Sequence, residues 1–234
     1  MSGAGCIVRI GSCVLLVTSM PTEIEGMPFV GFAGIDGAYL PRLSYAGRVA
    51  WLKYRFELVF LTPFKRFVAQ EGEAYVWLCV VNLLCAAVEA LADFEFDGNG
   101  MQPFARFVEK YFSAEFRTSM LSLDDPKPRR NSTATTPAEH LYKYFRCGLA
   151  HSFCIEWGGL LHREDGAPSY LFEREPIPGQ KSLGIVPREL VNDFLSGVDK
   201  FFQEAASWKP GTPTAKNFTR HFEETFLVCA APAP

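Results

Sequence analysis

Glu73-Ala-Tyr-Val-Trp-Leu-Cys-Val-Val-Asn-Leu-Leu-Cys-Ala-Ala-Val88 is apolar on almost every side, with Asn82 the single polar interruption between its first residue and its last. A segment that is hydrophobic all round reads as a helix enclosed by other helices. It runs on to Phe94 before Asp97-Gly-Asn-Gly100 turns the chain. The apolar stretch from Ala74 to Val88 has 15 residues, short of the roughly 20 that a bilayer demands. A buried core helix is therefore expected rather than a membrane span.

Upstream, Val49, Leu52, Phe56, Val59 and Phe60 recur at spacings of three and four, which predicts a helix from Ser44 to Leu61 that Thr62-Pro63 kinks or restarts. Downstream, Pro103 in a first turn and Phe104, Phe107, Tyr111 and Phe112 along one face predict a helix from Gln102 to Met120. Residues 121–136 read as a polar loop with Lys127, Arg129 and Arg130 at its basic centre. Two extended runs, Ser169–Glu173 and Lys181–Val186, flank Pro176-Ile-Pro-Gly179 and suggest a small hairpin. Pro187 opens a last strong helix, with Leu190, Phe194, Val198 and Phe201 in register up to Trp208. The expectation is a mainly α bundle of about five helices over residues 43–208. A weakly structured segment, 1–42, precedes it, and a C-terminal tail, 209–234, follows, with one or two further helical turns near Phe218–Leu227.

Composition bounds the function. The chain has 234 residues, 48% of them hydrophobic, and 21 phenylalanines, ample for a packed core. A net charge of −3 supplies no global field for a polyanion, so any such contact needs a local patch. Seven cysteines without a Cys-x-x-Cys pair read as thiols in a reducing compartment, and a cytoplasmic location is expected. Arg9 followed by Cys13-Val-Leu-Leu-Val17 faintly imitates a secretory signal, but the run is short and reads as a leading strand or arm. Two Asn-x-Thr tripeptides are treated as chance matches.

The sharpest local signal is Thr136-Pro-Ala-Glu139: a capping hydroxyl, a proline at the first helical position and a glutamate at the third. The helix it starts runs toward Gly158-Gly159 and carries Tyr144-Phe-Arg-Cys-Gly-Leu-Ala-His151. Histidine exchanges protons around neutral pH, and arginine carries a permanent fork-shaped charge. Arg146 and His151 lie five residues apart, about 140° around an α-helix. On that geometry they share no narrow face, which points to a site completed at a two-fold interface.

Arg146-x4-His151, inside a capped helix that follows two long helices and a shorter one, resembles the Arg-x(4 to 6)-His signature of the HEPN superfamily. The helix order over residues 44–206 carries that resemblance more than the two residues do. The resemblance implies a homodimer with a shared cleft and metal-independent RNA cleavage. His151 would take the proton from a ribose 2′-hydroxyl and Arg146 would bind the phosphate, leaving a cyclic phosphate end. Many members carry Asn, Asp or His directly after the arginine, whereas this chain has Cys147, a weak donor. A non-catalytic dimer that binds RNA, a nucleotide or a protein such as an antitoxin is therefore the alternative reading.

Lys143 is expected to add a phosphate contact, and Lys127, Arg129 and Arg130 to meet an RNA backbone. No cofactor and no metal is expected, and no membrane partner. Rival readings remain for the same residues. Cys147, His151 and Cys154 share one helical face at i, i+4 and i+7 and suggest a metal site, with His140 or His162 as a fourth ligand. Cys147 and His151 also suggest a thiol nucleophile pair. The bland reading makes His151 a packed interface histidine and Arg146 an ion-pair partner of Glu139 or Glu156.

Overall fold

The structure is a computed structural model, mainly helical, that describes residues 7–10, 13–16, 23–24, 27–28, 40–69, 74–118, 133–152, 155, 159–161, 171–177 and 180–227. Four short strands come first: β1 (Ile7–Ile10) pairs antiparallel with β2 (Cys13–Leu16), and β3 (Glu23–Ile24) with β4 (Met27–Pro28).

Helix α1 (Tyr45–Phe56) starts at Ser44, whose hydroxyl accepts the Gly47 N–H. It passes without a break through a π-turn, Glu57–Leu61, into α2 (Thr62–Val68). The expected kink at Pro63 is absorbed there: proline lacks the N–H for an ordinary helical bond, and the wider turn pairs the Thr62 N–H with the Glu57 carbonyl instead.

The all-round apolar stretch is α3 (Ala74–Glu95). By length and composition, Val76–Glu95 is the one helical window among the described residues that reaches membrane-spanning hydrophobicity, and 56% of that window is buried inside the fold. Val80, Val81, Leu84, Cys85 and Val88 are fully enclosed. Gly98 and Gly100 take positive φ in the turn that follows, a region where a side chain is strained.

The helix expected over 102–120 is two helices, α4 (Met101–Tyr111) and α5 (Ala114–Thr118). Phe112 turns extended, and Ser113 Oγ caps the new start by accepting the Phe116 N–H. Buried Asp193 holds that corner, accepting from the Ser113 N–H at 3.1 Å and its hydroxyl at 3.0 Å.

The capping box at Thr136 is present in full: Thr136 Oγ1 accepts the Glu139 N–H, and the Glu139 carboxylate accepts the Thr136 N–H. Helix α6 (Pro137–His140) follows, then a second π-turn, Leu141–Arg146, then α7 (Cys147–Ser152). Strand β5 (Gly159–Leu161) runs parallel to β7 (Gln180–Ile185), and β6 (Leu171–Ile177) pairs with β7 antiparallel.

Helix α8 (Pro187–Ser207) and helix α9 (Pro213–Phe222) complete the bundle, the latter continued by a third π-turn, Glu223–Leu227. Residues 209–234 thus hold more than the one or two turns expected of a tail. Phe218 and Phe222 are 0% exposed, with Phe218 5.4 Å from the Tyr45 ring and 5.2 Å from Phe94, and Phe222 5.5 Å from Trp51.

Candidate functional site

Two elements build the site. Glu89 projects from the second half of α3, and Arg146 from the last residue of the π-turn that enters α7. The Arg146 Nε–H and an Nη2–H both donate to Glu89 Oε2, at 2.9 and 2.6 Å. The guanidinium also lies 5.4 Å from the centre of the Tyr142 ring. On its remaining side, Nη1 is 3.4 Å from His151 Nε2. Arginine nitrogens only donate, so this contact requires Nε2 to carry the lone pair and assigns the ring proton to Nδ1.

This overturns the geometric argument for a shared site. The 140° offset separates the two Cβ atoms, but the long arginine stem swings along the helix, drawn by Glu89 on the neighbouring helix, until its charge lies beside the imidazole of the same chain. One protomer therefore brings Arg146 and His151 together. His151 is exposed and Arg146 half-buried, so the pair borders solvent. Burial works against the charge on Arg146, but the hydrogen bonds and negative charge of Glu89 outweigh it, holding the pKa above its ordinary value.

The ion-pair partner is neither of those expected. Glu139 is committed to its capping box and to Thr135 and Gln102, and Glu156 lies outside the described residues. Sequence reasoning missed Glu89 because the one signal for it, a carboxylate at the end of an apolar helical face, names no partner 57 residues away.

Lys143 stands elsewhere than expected. It is 6% exposed, with Nζ 5.3 Å from the centre of the Tyr144 ring. The π-turn accounts for the difference, since its wider coil shifts the faces from those of an α-helix and packs Leu141, Lys143, Tyr144 and Phe145 inward. Lys127, Arg129 and Arg130 lie outside the described residues.

Cys147, half-buried, neighbours Tyr142, whose hydroxyl burial above all pushes to a higher pKa against the pull of the Arg146 charge. Fully buried Cys85 lies within electrostatic reach of Arg146, Glu89 and Cys147; burial raises its pKa far above the ordinary thiol value, so it is inert at neutral pH. Among the described residues no three potential metal ligands come together; Cys154 and His162 of the rival metal reading lie outside them. His140 is fully buried, its Nδ1 2.8 Å from the Thr136 carbonyl and its ring parallel to Tyr144, which gives it a packing role.

The arrangement sets an exposed imidazole beside a guanidinium with donors to spare, and an anion that draws Nη1 away frees the Nε2 lone pair. That combination suits proton abstraction next to a bound anion. Comparison of the chain with family models, with curated proteins and with solved structures gives no match.

Proposed function

We propose that this protein is a HEPN-like, metal-independent endoribonuclease. The observation that carries the proposal is the 3.4 Å approach of Arg146 Nη1 to an exposed His151 Nε2. Once a phosphate has drawn Nη1 away, a ribose 2′-hydroxyl placed at the freed Nε2 gives up its proton to the imidazole as its oxygen attacks the neighbouring phosphorus. The 5′-oxygen leaves as a hydroxyl, taking its proton from water, and a 2′,3′-cyclic phosphate remains. Arg146 binds a non-bridging phosphate oxygen and stabilises the charge that grows on it. The bundle order, with the capped motif helix after α3 and α4, supports the HEPN resemblance. Toxin and defence systems are the setting that the resemblance implies. Free thiols at Cys79, Cys85 and Cys147 suit a reducing, cytoplasmic one.

A homodimer belongs to the same proposal, on new grounds. Cys79, Leu83, Ala86 and Ala90 are all exposed on α3 at spacings of four, three and four, the pattern of a helix-to-helix seam. Leu83 is 41% exposed, one of two large apolar side chains so placed among the described residues. Leu83→Lys is expected to turn a dimer into a monomer in light scattering while leaving the helical circular dichroism spectrum intact. A strict monomer in the unmodified protein at micromolar concentration speaks against the dimer and leaves the Arg146–His151 pair standing.

The test of activity is incubation of purified protein with mixed RNA in excess chelator. Arg146→Ala and His151→Ala are each expected to lower cleavage about 10²-fold or more, as losses of charge-stabilising and acid-base groups do. Binding without cleavage by the unmodified protein selects the non-catalytic module instead. Cys147 favours that second reading: its thiol, a weak donor, stands where many nucleases of this kind carry Asn, Asp or His.

A further inference from the structure

Glu89 does more to Arg146 than neutralise it. A guanidinium has five N–H donors, and the single oxygen Oε2 takes the Nε–H and one Nη2–H. The Nε side of the fork is therefore filled, and its plane is held against α3. An incoming anion is left the end that carries Nη1, the nitrogen beside His151 Nε2. Both partners are about four-fifths shielded from solvent, with side-chain exposures of 21% and 23%, so water does little to loosen the clamp. Among the described residues the Arg146 donors reach Glu89 and His151 only.

We propose that Glu89 is the positioning residue of this site: it orients Arg146 so that a phosphate can meet only the Nη1 end, next to the base, and it weakens ground-state binding of that phosphate. The inference rests on the ribonuclease reading for its catalytic part and on the ion pair alone for its anion-binding part. A carboxylate beside the guanidinium leaves the pair with no net charge, so a phosphodiester gains little before reaction. In the transition state the extra charge on phosphorus meets an arginine already aimed at it, which is where binding energy accelerates a reaction. A site so balanced also prefers the single charge of a phosphodiester to the double charge of a terminal phosphate.

Glu89→Gln keeps the size and removes the charge. Single-turnover cleavage is expected to fall by about tenfold or more, the scale on which misplaced groups cost rate, while affinity for a non-cleavable 2′-deoxy oligonucleotide rises. Glu89→Asp keeps the charge and shortens the reach, so its affinity stays weak and its cleavage stays low. Loss of binding along with cleavage in Glu89→Gln marks a residue that only holds the fold, and overturns the inference. An independent readout follows the Arg146 Nε–H resonance, identified by its loss in Arg146→Ala, during titration with inorganic phosphate. Glu89→Gln is expected to shift that resonance without phosphate and to tighten the phosphate response. If the unmodified protein cuts no RNA while both changes occur, the ribonuclease reading fails and the role of Glu89 on Arg146 stands. If Glu89→Gln changes neither the resonance nor the phosphate response, Glu89 does not position Arg146.

Discussion

Single residues show most clearly where burial and charge conflict. Asp193 is 7% exposed and fastens the corner between α4 and α5 through Ser113. Burial raises its pKa above the ordinary carboxylate value of 3.8, against the pull of the Ser113 hydrogen bonds and the Lys200 charge. A raised value means that ionisation is harder in the fold than in the unfolded chain. The contribution of this group is fully present below the ordinary value and is lost as the pH climbs through the raised one. Asp193→Asn removes the charge and retains an acceptor for Ser113. Its melting temperature is therefore expected to gain on that of the unmodified protein as the pH rises from below 3.8 to neutral. Asp193→Ala, which strands the Ser113 donors, is expected to cost about 1–3 kcal/mol in denaturant unfolding. A flat difference between Asn and Asp across that pH range contradicts the argument.

Elements follow local rules where local bonds decide and depart from them where neighbours do. The Thr136 box forms because hydroxyl, proline and glutamate stand within four residues of each other, and each supplies what the first turn lacks. Thr136→Ala is expected to destabilise the protein by about 1 kcal/mol, read as a lower unfolding midpoint with an unchanged slope. The π-turns at Glu57–Leu61 and Leu141–Arg146 are not legible in the same way. Their pattern of apolar spacing is that of ordinary helix, and the extra residue per turn is chosen by what the faces must meet. At the second π-turn this placed Lys143 inside rather than beside the site.

Across the whole molecule, the aromatic core joins segments that the sequence separates widely. Tyr45 from α1 donates to the Ala205 carbonyl of α8, Phe94 of α3 meets Phe218 of α9, and Phe107 of α4 meets Phe201 of α8. Buried Glu95 at the end of α3 accepts from Tyr111 and Lys110 of α4, and Lys110 also reaches Glu204 of α8, so two carboxylates link the three helices. Helix α9 is a stave of this core. Phe218→Ala is expected to cost about 3–5 kcal/mol, the range for emptying an aromatic site in a packed interior. Removing residues 209–234 is expected to leave a protein that no longer melts cooperatively. A shortened chain with the melting profile of the full one contradicts a structural role for α9.

The sequence by itself determined what depends on short-range pattern: a mainly helical chain, a buried central helix and the capped start of the motif helix. Those features rest on apolar period, capping chemistry and residue type within a few turns of chain. Only the tertiary structure decided that α4 breaks at Ser113, that Phe218 and Phe222 belong to the core, and that Arg146 lies between Glu89 and His151. Each of these turns on a partner far along the chain, Asp193 for Ser113, Tyr45 and Trp51 for the last helix, Glu89 for Arg146. A helical wheel drawn for one segment contains no such partner, because side-chain reach and the charge on a neighbouring helix settle where a long arginine ends.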